Sequence, residues 1–313
     1  MSSNAVQGWQ LTRFDDGIVL AALDLPGKVN IMDDHFIAAM ESLLGHLETA
    51  RDYTGVILTS AKSVFLAGGD LKRMVQSRAG QEASLYAYFE NLKSYLRRLE
   101  RLGRPLVAAI NGAALGGGYE TCLACHHRIA LRDMRLRVGL PEIEFGILAG
   151  AGGVVRLTRL LGFEKAVPFL TEGLAADVST ALEAGLIDDV ADDAEQLIAK
   201  SRSWILAHPQ ARQPWDRLDN ALPAHKLDAA QRRALLLEPG KLTRRLAGSP
   251  AEFAAQRTMA LSAESLSMDF DAALRYETRV LIELLRTDYA RNQMQAFLDR
   301  KSSKPAAAQK VAA

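Results

Sequence analysis

Apolar residues near the N-terminus fall first into two short runs. Trp9-Gln-Leu-Thr-Arg-Phe14 and Ile18-Val-Leu-Ala-Ala-Leu23 flank Asp15-Asp16-Gly17, a spacing that predicts a hairpin. Pro26-Gly27 breaks the second run. Asp33 is then placed to cap a helix whose apolar positions, Phe36, Ile37, Met40, Leu43, Leu44 and Leu47, follow three-four spacing. Gly55-Val-Ile-Leu-Thr59 reads as a buried strand, and Gly80 to Leu102 as a long amphipathic helix with Leu85, Phe89, Leu92, Leu96, Leu99 and Leu102 on one stripe, ended by Gly103. Leu106-Val-Ala-Ala-Ile110 is a further buried strand, opened by Pro105.

Short strands are expected at Arg128–Leu131, Arg135–Val138 and Leu186–Val190, and helices at Tyr119–Cys125, Val154–Leu161 (stopped by Gly162) and Thr180–Ala184. From about Ala194 strand signals vanish. Helical patterns take over, interrupted by prolines at 209, 214, 223, 239 and 250, with one strong helix from about Phe270 to Leu298. The pattern therefore predicts an α/β core with the active site over residues 1–195, a helical C-terminal region over 196–300, and an Ala/Lys/Ser-rich disordered tail or linker over 301–313.

Composition narrows the field by exclusion. Lys and Arg total 38 against 37 Asp and Glu, so no basic or acidic excess points to nucleic acid or an anionic membrane. The N-terminus carries no basic-then-apolar segment, and no run is long enough to span a bilayer, so a cytoplasmic protein is expected. Cys122-Leu-Ala-Cys125-His126 has the spacing of a haem-attachment or redox motif, but without an export signal both cysteines read as small core residues and His126 and His127 as structural. Gly150-Ala-Gly152-Gly153 lacks the last glycine and the following acidic residue of a dinucleotide fingerprint. No Walker lysine, zinc spacing or Gly-x-Ser-x-Gly is present.

The chemistry gathers at two glycine loops and two glutamates. Ala67-Gly-Gly-Asp70 and Leu115-Gly-Gly-Gly118 each leave a strand and enter a helix, which exposes backbone N–H groups at a helix start. Either loop alone is explained by tight turns and close packing. Facing each other, one N–H from each would form an oxyanion hole for a thioester carbonyl becoming an enolate. Glu120, in the first turn after the second loop, and Glu142, amid Leu140, Ile143, Phe145 and Ile147, form an acidic pair that neighbours can hold in different protonation states. Taken singly, Glu142 after Pro141 is also a helix N-terminal acid, and Glu144 reads as solvent-facing.

Phe65–Leu71, Pro105–Glu120 and Gly139–Gly153, in that order and with both glutamates, resemble the crotonase superfamily of enoyl-CoA hydratases and isomerases. Ala124–Ala130, Met268–Leu274 and Glu277 are most similar to the hydratase part of bacterial multifunctional fatty-acid β-oxidation enzymes. The resemblance implies a ββα spiral core and an enoyl-CoA hydratase, a carbon–oxygen lyase that adds water syn across the 2,3 double bond. Its nearest rivals are a Δ3,Δ2-enoyl-CoA isomerase, a thioester hydrolase and a catalytically silent acyl-CoA-binding domain. It implies that Gly69 and Gly117 form the oxyanion hole, that Glu120 is the base and Glu142 the acid, and that Lys28, Val29, Ala67, Asp70, Leu71, Gly116, Pro141 and Gly150 contact the substrate or its CoA, with Lys28, Lys72 and Arg73 candidates for the phosphates. No metal and no cofactor is implied, coenzyme A being part of the substrate, and a trimer-based homo-oligomer is expected. A dehydrogenase part follows in the multifunctional relatives; these residues are not expected to supply that activity. Two departures stand out. Ala149 replaces a common proline and is expected to loosen the loop after Glu142, and Tyr119 replaces a smaller residue and is expected to narrow the acyl pocket.

Overall fold

The computed structural model describes residues 2–50, 52–217 and 221–303. Strands β1 (Ser2–Val6), β2 (Trp9–Arg13) and β3 (Ile18–Leu23) form an antiparallel meander, and helix α1 (Asp34–Ala50) follows, with Asp33 Oδ1 accepting from the amides of His35 and Phe36. Then come β4 (Gly55–Ser60), β5 (Leu66–Ala67), α2 (Leu71–Gln76) and α3 (Glu82–Glu100). The next turn of chain is β6 (Leu106–Ile110), β7 (Ala114–Leu115) and α4 (Gly117–Leu123); after it, β8 (His127–Leu131), β9 (Val138–Gly139) and a 3-10 helix at Pro141–Phe145. Helices α5 (Gly153–Leu161) and α6 (Phe163–Thr171), strand β10 (Ala175–Ala176), helix α7 (Val178–Ala184), strand β11 (Asp189–Ala191) and helix α8 (Ala194–Ala207) complete the mixed part. Helices α9 (Ala229–Leu246), α10 (Glu252–Ser265), α11 (Phe270–Leu285) and α12 (Asp288–Ser303) form the C-terminal region.

Two sheets share this chain. The larger runs β1-β2-β3-β4-β6-β8-β11, parallel from β3 onward; the smaller runs β10-β9-β7-β5. Strand β6 shows why its sequence is continuously apolar. Leu106, Ala108 and Ile110 face the main core with α1 and α3, while Val107 and Ala109 face a second core with Leu197 and Ile205 of α8. Three successive turns of chain, β4-β5, β6-β7 and β8-β9, each add one strand to the large sheet and one to the small sheet before a helix. The small sheet matters most for function. Its register sets Ala67 beside Leu115 and Leu115 beside Gly139, so the segments that leave β5, β7 and β9 emerge side by side.

Several elements differ from the sequence expectations. The helix expected over Phe270–Leu298 is two helices, because Thr287 Oγ1 accepts from the Ala290 amide and starts α12 afresh. Helix α12 extends through Lys301 to Ser303, into the span expected as tail; residues 304–313 lie outside the described residues. Helix α6, not expected from the sequence, restarts straight after Gly162 with Pro168 inside it, and α9 likewise carries Pro239 within it. Of the expected strand Arg135–Val138 only Val138 pairs, and α4 begins two residues early, at Gly117. Both cysteines are buried and free, and His126 Nδ1 accepts the Leu106 amide, with burial pushing its pKa down to about 4. Among the described residues no helix is long and apolar enough to cross a membrane.

Candidate active site

The three segments leaving the small sheet meet at a cavity of about 570 Å³. After β5, Gly68 turns with φ 81°, and the Met32 amide donates to its carbonyl at 2.9 Å, while a parallel bridge joins Met32 to Gly69. After β7, Gly116 turns with φ 55°. A Cβ there would sit 2.5 Å from Glu142 Oε1, so only glycine lets this carboxylate close on the backbone. Gly69 and Gly117 both line the cavity, and among the described residues neither of their amides donates to a protein acceptor. Two such N–H groups on adjacent strand ends, Gly69 ahead of α2 and Gly117 at the start of α4, suit an oxygen that gains negative charge.

Glu120 lies one helical turn into α4 and is 3 % exposed. Its Oε1 accepts from the amides of Ala151 at 2.6 Å and Gly153 at 2.7 Å, and Oε2 keeps no protein partner among the described residues. Burial, then the negative charge of Glu277, push its pKa up to about 7, against the opposing pull of the Gly153 and Ala151 amides. Glu142 enters from the 3-10 helix after β9. Its Oε2 is closed off from solvent without a hydrogen-bond partner among the described residues. Burial first, then the charge of Glu120, hold its carboxyl well above the usual range. The two glutamates thus share one site but differ in support: two N–H donors favour ionised Glu120, and the bare Glu142 favours its proton.

The other expected contacts divide. Ala67, Asp70, Leu71, Gly116, Pro141 and Gly150 line the same cavity, as does exposed Lys72. Exposed Lys28 and half-buried Val29 lie outside its lining. Arg73 is drawn to Asp34 and stacks 4.5 Å over the Tyr88 ring. Glu144 is exposed, as expected, at the cavity's rim. Phe297, Leu298 and Lys301 of α12 close one side, so the start of the expected tail is part of the cavity wall.

Tyr119 does not narrow the pocket. It is fully buried outside the cavity lining, and its hydroxyl donates to Leu186 O at 2.7 Å. Tyr119→Phe is therefore expected to cost about 1 kcal/mol of stability in a denaturant titration while leaving the order of rates across acyl chain lengths unchanged. Nor is the loop after Glu142 loose at Ala149, which is 2 % exposed and followed by a segment tied down at four amides.

Sequence reasoning missed three groups that build the site. Asn30 is fully buried; its Nδ2 donates to Leu23 O and Ser60 Oγ, its Oδ1 accepts from Leu25, and its carbonyl accepts from Ala67, which fixes Ile31–Met32 against the first glycine loop. An amide inside Val29-Asn-Ile-Met32 was the available signal. Ala151 and Gly153 act through backbone amides and leave no side-chain signature. Lys93 and Glu277 are both buried; Glu277 enters the sequence reading only through the resemblance, and Lys93 not at all.

A family model described as enoyl-CoA hydratase/isomerase matches residues 13–238. Among solved structures, the chain is similar to human mitochondrial Δ3-Δ2-enoyl-CoA isomerase (23% identity, 96% of this chain and 100% of that one, TM-score 0.64). It is similar to an enoyl-CoA hydratase from Bacillus halodurans (22% identity, 92% and 99% covered, TM-score 0.63) and one from Bacillus anthracis (24% identity, 94% and 97% covered, TM-score 0.57).

Proposed function

This chain belongs to the enoyl-CoA hydratase/isomerase family, and we propose from that premise that it adds water to 2-trans-enoyl-CoA thioesters. The observation that carries this reading is the pair of carboxylates at one end of an apolar cavity, unequally supported, beside two free glycine amides. An isomerisation needs one acid/base carboxylate; addition of water needs a base for the water and an acid for carbon.

In this reading the thioester oxygen accepts from the Gly69 and Gly117 amides and takes up charge as the enolate forms. One such donor is worth about 3 kcal/mol of barrier. Glu120, anchored through Oε1, takes a proton from water as its oxygen bonds to C3. Protonated Glu142 delivers its proton to C2, so one water is added across the double bond on the face that both glutamates line. CoA lies along Ala67–Leu71, where Lys72 supplies positive charge at the cavity's edge.

Loss of the enoyl absorbance of crotonyl-CoA tests the proposal directly. Hydration abolished in Glu120→Gln and in Glu142→Gln supports it. A wild-type protein that shifts 3-enoyl to 2-enoyl substrates without adding water identifies an isomerase, and one that binds CoA esters without turnover overturns both.

A further inference from the structure

The segment between β9 and α5 that supplies Glu120 with its donors is held from two sides at once. The Ala151 and Gly153 amides point to Glu120, at 2.6 and 2.7 Å. The Gly152 and Val155 amides point the other way, to Glu277 on α11, at 2.7 and 3.2 Å. Two carboxylates from distant parts of the chain therefore grip opposite sides of one five-residue turn at the start of α5. A third grip is Arg156, whose Nη1 donates to Ala151 O at 2.9 Å while its Nε meets Glu100 at 2.7 Å.

Glu277 is fully buried and is paired with a cation from α3. Lys93 Nζ on α3 lies 3.1 Å from its Oε1 and also donates to Leu274 O at 2.5 Å and Thr278 Oγ1 at 2.7 Å. Taking this pair out of water is costly, and the two amides that Glu277 accepts from at the start of α5 offset part of that cost. Phe89 and Leu92, on the same helix as Lys93, line the cavity, and Leu281, one turn beyond Glu277, lines it too.

We propose that Lys93 and Glu277 are positioning residues for the base: Glu277 orients the 151–155 turn so that its alternate amides meet Glu120, and Lys93 holds Glu277 in place. The proposal rests on the reading of Glu120 as the base. The charged groups around this pair are Lys93, with Glu90 of α3 3.9 Å from it, Glu120 on α4, Arg156 on α5 and Glu142 on the 3-10 helix.

The test is kinetic, on the full chain, in Glu277→Gln and in the double variant Lys93→Met/Glu277→Met, which keeps volume without charge and guards against misfolding of the single variant. With the fold intact by circular dichroism, kcat for crotonyl-CoA is expected to fall about 10- to 100-fold with KM within about threefold, as small misplacements of a catalytic group cost. Losing the Glu277 charge lowers the Glu120 pKa and letting the Ala151 and Gly153 amides drift raises it, so the discriminating readout is the fall in kcat at nearly constant KM. Unchanged kcat in a folded double variant overturns the proposal, whatever happens to its melting temperature. Glu120→Gln, measured alongside, separates the two levels. If it stays active, the base reading fails. If it is dead while the double variant is as active as wild type, the positioning proposal alone fails.

Discussion

Glu120→Gln and Glu142→Gln are each expected to lower kcat for hydration about 100- to 10,000-fold, the usual worth of a positioned acid or base, with KM little changed. The wild-type rate is expected to fall as pH drops through about 7, where Glu120 takes up its proton and ceases to be a base. That limb is read from kcat/KM across pH 5 to 9 on the unliganded enzyme's side of the reaction (roughly the range in which such a group changes state). The same shift has a stability sign. Glu120 holds its proton more tightly in the folded chain than at its ordinary 4.5, so its contribution is present below 4.5 and is lost as pH rises to about 7. Glu120→Gln is expected to flatten that part of a melting-temperature profile. A variant that loses activity yet keeps the slope places the raised proton elsewhere.

Gly118→Ala is expected to destabilise the fold by about 3 kcal/mol, or to prevent folding, because overpacking against backbone has no side chain to yield. A Cβ at Gly118 would lie 2.1 Å from Leu66 O, the carbonyl of β5, and so would force apart the two strands whose ends carry Gly69 and Gly117. Differential scanning calorimetry should show the loss, and surviving protein should be slower in turnover as well. Gly45→Ala is the matched control. Nothing lies within 4 Å of a Cβ there, and the residue is inside α1, so a gain of about 0.5–1 kcal/mol is expected from helix propensity. Equal losses at the two positions would show that the strand contact at Gly118 is not what matters.

The sequence by itself determined those parts of the molecule that rest on local pattern. The hairpin around Asp15–Gly17, the cap at Asp33, the fully apolar β6 and the two glycine loops each follow from spacing or from the chemistry of a single residue type. Both glutamates were legible for the same reason: an acid at the start of a helix after glycines, and another amid apolar neighbours, are unusual in any one segment. What could not be read locally was depth and partnership. Tyr119 is adjacent to Glu120 in sequence but points into the core, because successive helical residues lie about a quarter turn apart. The extra residues of α12 became cavity wall only through its packing against Phe145, with the Phe297 ring 5.2 Å away.

The protonation states were decided by tertiary structure alone. Nothing near Glu120 in sequence says that amides 31 and 33 residues later will anchor one oxygen, or that Glu277 will stand behind them. Electrostatic environment is a property of distance in space, and burial sets the dielectric through which each charge acts. The sequence determined which groups could do chemistry. The fold decided which carboxylate receives N–H donors and which is left without one, by choosing where four backbone N–H groups point.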